Sequence, residues 1–307
     1  MTGELELELD CRTGGRAEDF ARPATAWLTE ARAELFPEYE PGLAAEPAAP
    51  GPDEENPDAP WGPPHGVSAQ LLIQRSPRGA NMRQTRYTRR TWQRLLSSLG
   101  TPSAPYKCVL LMHPLDARGH PVEPEHAVSV EFRRLPDAPE WTRFAASAPA
   151  PLVPWRDSEA VQQRWLDLLG AWAVRLNASY GHVTDDADTA YGTALERMLS
   201  LAPQETVPHS HETLRGYAWA TLCSPDVAAR LGGPEVLRAS GAFHEVTELP
   251  GGRLLFRATP RLEQYTGDAP ARVLRALASA LPPGRTRREY LHSWMRLAPD
   301  GDAADYA

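Results

Sequence analysis

Acidic and apolar residues alternate near the start of the chain, a pattern typical of a β-strand. The run ELELELD, residues 4–10, places Leu5, Leu7 and Leu9 on one face of a strand and acidic side chains on the other. We therefore expect a half-buried strand. The next run, AEDFARPATAWLTEARAELF, has helical spacing of its apolar residues and predicts an amphipathic helix with Pro23 in its first turn.

Further along the chain, the apolar residues of other runs have either the two-residue period of a strand or the spacing of an amphipathic helix. Strands are predicted in the runs VSAQLLIQR, YKCVLLMHP, HAVSVEFRRLP, SYGHVTDD and LRGYAWATLC, and a hairpin in AFHEVTELPGGRLLFRATP. Helices are predicted in TRYTRRTWQRLLSSLG, SEAVQQRWLDLLGAWAVRLNA and APARVLRALASALPPG. Ser224, Pro225 and Asp226 predict a helix start, since they supply a cap, a first-turn proline and an acid at the positive end of the helix dipole.

The order of these elements predicts an α+β fold. Strand, helix, antiparallel pair and helix occur twice, which indicates two related halves of mainly antiparallel sheet with packed helices. We assign the halves to residues 1–150 and 151–307, or to one continuous domain. Residues 41–66 are rich in proline, alanine and acid and predict a long disordered loop within the first half.

Charge and composition limit the classes of partner. The chain has 307 residues and a formal net charge of −8, which argues against general attraction to nucleic acid and favours a basic protein partner. No run approaches the roughly 20 apolar residues that span a bilayer, and the N-terminus lacks the pattern of a signal peptide. We expect a cytoplasmic protein that does not bind membranes.

His209, His211 and Glu212 form the first candidate for chemistry. Alternating histidines on an extended segment would share a face and could hold zinc beside a carboxylate, with His182 or the pair Asp185 and Asp186 as further ligands. The spacing matches no structured metal motif such as HExxH. The alternative, which we favour, is a polar turn before a buried strand, without a metal or other cofactor.

Cys223 is the second candidate, because it ends a predicted strand just before a capped helix. The helix dipole could favour the thiolate there, and His182, His211 or His244 could act as the base. Cysteine after a run such as YAWATL is also typical of a small buried apolar residue. The two readings stay open at this point, with burial favoured.

Arginine residues cluster between residues 75 and 94. A predicted helix carrying them could contact nucleic acid or phosphate, with Tyr87 and Trp92 interleaved. The same arginines also suit the solvated face of an amphipathic helix, with the acidic residues 53–55 as counter-charges. Because the net charge of the chain is negative, we favour the solvated face, and a nucleic-acid contact is the weaker alternative.

Trp61 and Trp155 lie in proline-rich surroundings and are our candidates for exposed anchors that bind a protein partner. Asp185 and Asp186 form an acidic turn that could bind the same partner. Neither a glycine-rich phosphate loop nor a GxSxG motif occurs in the chain, so we assign no catalytic residue.

The C-terminal third contains Gly216, Tyr217 and Trp219 followed by the run Arg230 to Gly233, and through these residues it resembles bacterial polymorphic-toxin and type VI secretion immunity proteins. In their pattern, a Gly-Tyr-x-Trp strand leads to a helix that ends Arg-Leu-Gly-Gly and then to a hairpin. The matching residues are Gly216, Tyr217, Trp219, Arg230, Leu231, Gly232 and Gly233. The resemblance implies a cytoplasmic, non-catalytic protein that neutralises a cognate toxin by binding it. The alternatives are a metal- or cysteine-dependent enzyme and a regulatory module that contacts nucleic acid.

Overall fold

The computed structural model describes residues 3–45, 56, 58–77, 81–186 and 192–307. Its strands are β1 (Glu4–Arg12), β2 (Val67–Gln74), β3 (Arg83–Arg86), β4 (Lys107–Pro114), β5 (Val128–Arg134), β6 (Trp141–Pro149), β7 (Tyr180–Thr184), β8 (Ala220–Cys223), β9 (Glu245–Leu249) and β10 (Arg253–Arg257). Its α-helices are α1 (Ala17–Ala26), α2 (Arg32–Leu35), α3 (Glu40–Ala44), α4 (Arg89–Ser98), α5 (Glu159–Leu176), α6 (Ala194–Leu199), α7 (Pro203–Thr206), α8 (Pro225–Arg230), α9 (Gly233–Ala239) and α10 (Ala269–Leu277). The predicted α+β class is confirmed.

The chain divides into two compact units. One unit contains residues 13–153, and its strands follow the order β3-β2-β4-β5-β6 with antiparallel neighbours. The other unit combines residues 3–12 with residues 154–307, and its strands follow the order β1-β7-β8-β10-β9, again antiparallel. β1 thus lies with the C-terminal part of the chain, where it pairs with β7.

β1 is buried on both faces. Leu5, Leu7 and Leu9 are inaccessible to solvent, as their alternation predicts. On the opposite face Glu8 and Asp10 are buried as well, so the prediction of a half-buried strand is wrong for the acidic face. Charged side chains reach such positions only where other polar groups accompany them.

β7 packs closely against β1 and α5. A Cβ atom at Gly181 would lie 2.8 Å from Leu9 Cδ2, 2.9 Å from the Glu8 carbonyl oxygen and 3.0 Å from Leu169 Cδ1. Only glycine leaves room for this approach. The apolar face of β1 therefore lies against α5, and its acidic face lies on the other side.

The residue 13–153 unit departs from the prediction at α4, β6 and α1. The predicted helix at residues 85–100 begins only at α4, because Thr88 caps it: the Thr91 amide donates to Thr88 Oγ1 at 3.1 Å. Residues before that cap form β3, which pairs with β2 in register. β6 was not predicted at all, and Pro23 lies inside α1 rather than in its first turn.

The proline-rich segment is partly structured. Its first residues belong to α3, and residues 46–55 and 57 lie outside the described residues, so the predicted disorder is not tested there. Further along, the Trp61 amide donates to the Gly119 carbonyl at 2.8 Å and the His65 amide to the Asp116 carbonyl at 2.9 Å. These bonds fix the end of the segment within its own unit.

The C-terminal predictions are confirmed in the main. Ser158 caps α5, and Ser224 caps α8 through a 3.1 Å bond from the Val227 amide. Gly251 and Gly252 have φ angles of +83° and +77° in the turn between β9 and β10, as the hairpin requires. The predicted strand LRGYAWATLC is shorter in the structure, where β8 covers its last four residues.

Within the described ranges, none of the helices is long and apolar enough to cross a bilayer.

Candidate functional site

The histidine segment is a tight turn rather than an extended strand. His209 ends a 3-10 helix (Val207–His209), and its carbonyl accepts bonds from the amides of Glu212 and Thr213, both at 2.9 Å. The alternative in which His209 and His211 alternate on one strand face is therefore wrong, and the favoured polar turn before a buried strand is confirmed. His211 Nε2 lies 3.4 Å from Glu212 Oε1, an exposed neighbouring pair. Among the described residues, no three His, Cys, Asp or Glu side chains are placed to hold a metal ion.

Cys223 has the properties of a core residue. It is fully buried at the end of β8, opposite Tyr180 and Leu254 in the neighbouring strands. Burial raises the pKa of its thiol to about 12, although a hydrogen bond involving the Leu254 backbone lowers it somewhat. The thiol is therefore protonated at neutral pH, contrary to what a thiolate nucleophile requires.

A cluster of buried charges occupies the acidic face of β1. Arg215 donates from Nη1 to Glu8 and to Asp10, the latter at 2.7 Å. Its Nε and Nη2 each donate to one oxygen of Glu196 at 2.9 Å, in a bidentate pair. The four side chains are at most 1% exposed. We call these four residues the Arg215 cluster.

Electrostatics within the Arg215 cluster favour the guanidinium cation. Burial by itself lowers the pKa of Arg215, but the carboxylates of Asp10, Glu196 and Glu8 together raise it well above its ordinary value. One guanidinium faces three carboxylates in a region without solvent. Such a cluster is strongly coupled, and losing the cation would leave buried carboxylates without compensation.

Local structure places each member of the Arg215 cluster. β1 presents Glu8 and Asp10 on one face, while α6 presents Glu196. Thr193 caps α6, with the Glu196 amide bonded to Thr193 Oγ1 at 3.1 Å and the Thr193 amide bonded to Glu196 Oε2 at 2.8 Å. Glu196 therefore serves both the helix cap and the arginine.

Tyr180 lies beside these charges, and Tyr265 is a second buried tyrosine, near Asp186 and Arg296. Tyr180 is opposite Asp10 in the β1–β7 register, and the Arg215 guanidinium lies 5.4 Å from its ring centroid. Burial raises the pKa of the hydroxyls of Tyr180 and Tyr265 well above the ordinary value. Neither hydroxyl has a hydrogen-bond partner within the described ranges. Both hydroxyls are therefore protonated at neutral pH.

Asp185 and Asp186 contact Arg296. Asp185 forms a bidentate pair with the Arg296 guanidinium, one of whose bonds is 2.6 Å long. Asp186 accepts the Arg296 amide at 2.6 Å and also a bond from Thr184. Burial raises the pKa of Asp186 to about 6, against the lowering effects of these hydrogen bonds. The two acids thus hold the C-terminal segment, and a role in partner binding stays a prediction.

The residues that carry the immunity-protein resemblance have structural contacts. The Tyr217 hydroxyl accepts the Ala298 amide at 3.0 Å, which is a second tie to the C-terminal segment. Trp219 Nε1 donates to the Thr259 carbonyl at 3.0 Å. Gly232 and Gly233 have φ angles of +82° and +80° between α8 and α9. The motif therefore supports the fold of this unit.

The two tryptophans proposed as exposed anchors differ in how far they are buried. Trp155 is fully buried, so its predicted exposure is wrong; its ring lies 5.0 Å from the Arg156 guanidinium. Trp61 is half-buried, with its ring in an edge contact with His113 at 5.4 Å and its carbonyl bonded to Arg86 Nη2 at 2.9 Å. Whether Trp61 binds a partner stays a prediction.

The arginines between residues 75 and 94 do not lie on one helix. Arg83 and Arg86 are in β3, and α4 carries Arg89, Arg90 and Arg94 on its exposed face. The predicted arginine helix over residues 75–94 is wrong, because the cap at residue 88 separates the two groups. Arg78 and the acidic residues 53–55 lie outside the described residues.

Two features of the sequence are consistent with the Arg215 cluster. Arg215 lies in an apolar run, LRGYAWATLC, where an unpaired cation would be costly, and the acids of ELELELD are the densest on any predicted strand. What the sequence does not show is that β1 lies next to β7, which brings these distant residues together.

Comparisons with known proteins identify a similar fold. No protein-family model matches the chain, and no curated protein sequence is significantly similar to it. Among solved structures, the Pseudomonas aeruginosa T6SS protein PA0821 is similar with a TM-score of 0.51 and 14% identity, over 99% of this chain and 81% of that chain. At this identity the likeness shows a common fold, shared with a protein of the type VI secretion system.

Proposed function

We propose that this chain is a non-catalytic binding protein associated with type VI secretion, and specifically an immunity protein that neutralises a toxin by direct contact. The observation that carries the proposal is the likeness in fold to a T6SS protein along nearly the whole chain. The resemblance of residues 216–233 to immunity proteins supports it independently.

Two features of the molecule also support binding over catalysis. Two of the groups with catalytic potential are engaged internally: the Arg215 cluster is buried, and the Cys223 thiol is held protonated by burial. The formal net charge of −8 suits association with a basic partner, since opposite charge accelerates encounter and helps to exclude other partners.

The proposal predicts that a toxin gene neighbours this one, and the decisive experiment uses the product of that gene. Co-expression of the intact chain should restore growth of a bacterial host that produces the toxin. The purified proteins, with the toxin inactivated by mutation, should form a complex measurable by calorimetry. Toxins from unrelated secretion loci serve as the control for specificity.

Failure of both measurements would overturn the proposal. If no neighbouring toxin is bound and none is neutralised, the immunity role is wrong. The metal alternative would then be tested by elemental analysis of the purified protein, and the nucleic-acid alternative by binding at low salt, where electrostatic association is strongest.

A further inference from the structure

A groove opens beside α5 in the unit that contains the C-terminal residues. It has a volume of about 320 Å³ and lies between the outer part of α5 and the hairpin of β9 and β10. Its floor is apolar, formed by Leu166, Gly170, Leu249 and Leu255. Nothing in the Arg215 cluster or in the Arg296 contacts belongs to it. We call this surface the α5 groove.

The rim of the α5 groove has an excess of negative charge. Glu245 is half-exposed and bonds Arg257 Nη2 at 2.7 Å, so these two charges offset each other. Asp167 is exposed and accepts a 2.8 Å bond from Gln163, a neutral donor. No cation pairs with Asp167 among the described residues. One carboxylate of the rim is therefore available to a partner.

Gly170 keeps the groove open without being required for packing. It lies within α5, where glycine lowers helix stability relative to alanine. A Cβ atom there would lie 3.6 Å from Leu255 Cδ2 and 3.9 Å from Leu249 Cδ2, which are ordinary contact distances. Alanine would fit, so the core does not explain the glycine. Its effect is to leave space between the helix and the hairpin.

The neighbouring edge of β9 is less suited to an added strand. β9 is the last strand in its order, and Arg238 Nη2 donates to the carbonyl of Val246 at 2.9 Å. Arg238 also pairs with Glu235. A strand pairing with this edge would have to displace Arg238, and long charged side chains commonly protect edge strands in this way.

We infer that the α5 groove receives a lysine or arginine side chain from a protein partner. Basic side chains have an apolar stem and a charged head, which match an apolar floor and an acidic rim. The Asp167 carboxylate would bind the head, and Leu166, Leu249 and Leu255 would contact the stem. The inference rests on the proposed function, since the partner we expect is the toxin, and it assigns that toxin a basic contact residue.

The first test measures the affinity of the toxin for groove variants. Ala171 is exposed and lines the groove. Ala171→Arg should weaken binding about tenfold or more, because it adds bulk and a like charge, whereas Ala171→Glu adds similar bulk and should weaken it by less than about threefold. Asp167→Asn should weaken it about fivefold at low salt. Ala229→Arg, on the exposed side of α8, is the matched control and should leave affinity unchanged.

Three outcomes are distinguishable. A larger loss for Ala171→Arg than for Ala171→Glu supports the inference. A toxin that binds all variants equally overturns the inference and leaves the proposed function intact. A toxin that does not bind the unaltered chain overturns the proposed function, and the groove is then judged by the second test alone.

The second test needs no toxin. Amide resonances of the full chain are followed by NMR on addition of the peptide acetyl-Leu-Arg-Leu-amide, with acetyl-Leu-Glu-Leu-amide as control. Saturable shifts at Gly170, Ala171 and Thr247 with the arginine peptide alone would support the inference. No shift at these residues, or equal shifts with both peptides, would contradict it.

Discussion

Arg215 shows at the scale of a single residue how the chain tolerates buried charge. Its guanidinium meets Glu8, Asp10 and Glu196, and each of these carboxylates is inaccessible or nearly so. Their attraction compensates for the lost hydration only while all partners are present. Replacing one member of the cluster therefore leaves the other charges buried without compensation, which lowers the free energy of unfolding.

Arg215→Met should destabilise the protein by about 3–5 kcal/mol, because three buried carboxylates would lose their cation. Urea unfolding followed by circular dichroism measures this free energy. Arg230→Met, at an exposed arginine, should change it by less than about 0.5 kcal/mol. A loss below about 1 kcal/mol for Arg215→Met would contradict our description of the cluster.

Asp186 should make stability depend on pH in an unusual direction. Its pKa is about 6 in the fold and 3.8 ordinarily, so the folded protein binds this proton more tightly than the unfolded chain does. The stabilisation by protonation is complete below the ordinary pKa and is lost as the pH rises through about 6.

Asp186→Asn should remove that dependence, since an amide does not titrate. The difference in unfolding free energy between the variant and the unaltered protein is measured from pH 4 to pH 7.5. We expect the variant to gain relative stability as the pH rises. A difference that is constant over this range would show that Asp186 does not titrate there.

At the scale of elements, Ser224 joins a helix to the histidine turn. Its hydroxyl caps α8 by accepting the Val227 amide, and it donates to the His211 carbonyl at 2.6 Å. Ser224→Ala should cost about 1–2 kcal/mol of stability, because the cap and the bond to the turn are both lost.

Hydrogen exchange at the Val227 amide should report the same change, with faster exchange in Ser224→Ala. Ser97→Ala is the matched control, because Ser97 is exposed within α4 and bonds only a carbonyl of that helix. It should be neutral or slightly stabilising. Equal effects of the two substitutions would contradict the role of Ser224.

The sequence predicts the elements whose structure depends on neighbouring residues. It does not predict those that depend on residues far apart in the chain. The cap of α8, the span of α5 and the β9–β10 turn depend on neighbouring residues, and the sequence predicts all three. β3 was missed because its pairing with β2 overrides the helical spacing of its residues. The Arg215 cluster was missed for the same reason, since its members meet only through the pairing of β1 with β7.

At the scale of the whole molecule, the C-terminal unit is discontinuous in sequence. Residues 3–12 complete it, supplying a strand beside β7 and two carboxylates to Arg215. Residues 154–307 alone should therefore fail to unfold cooperatively. A synthetic peptide of residues 3–12, added in trans, should restore a cooperative transition.

The control for this experiment is the same peptide with Glu8→Lys and Asp10→Lys, which places cations against Arg215. It should not restore folding, although its leucines are unchanged. A fragment of residues 154–307 that unfolds cooperatively without any peptide would show that β1 is dispensable to this unit.

The position of β1 in the chain also determines when this strand can pair with β7 during synthesis on the ribosome. β1 is synthesised before β7, and about 170 further residues must be added before the two strands can pair. At elongation rates of about 5–20 residues per second, this takes on the order of ten seconds or more. During that interval β1 carries three leucines and four acids without β7 as a partner. We expect the charges of these acids to oppose aggregation of the leucine-rich segment in that interval, since charged residues next to apolar strands reduce association. Glu8 and Asp10 would then act in the nascent chain before they pair with Arg215 in the folded core.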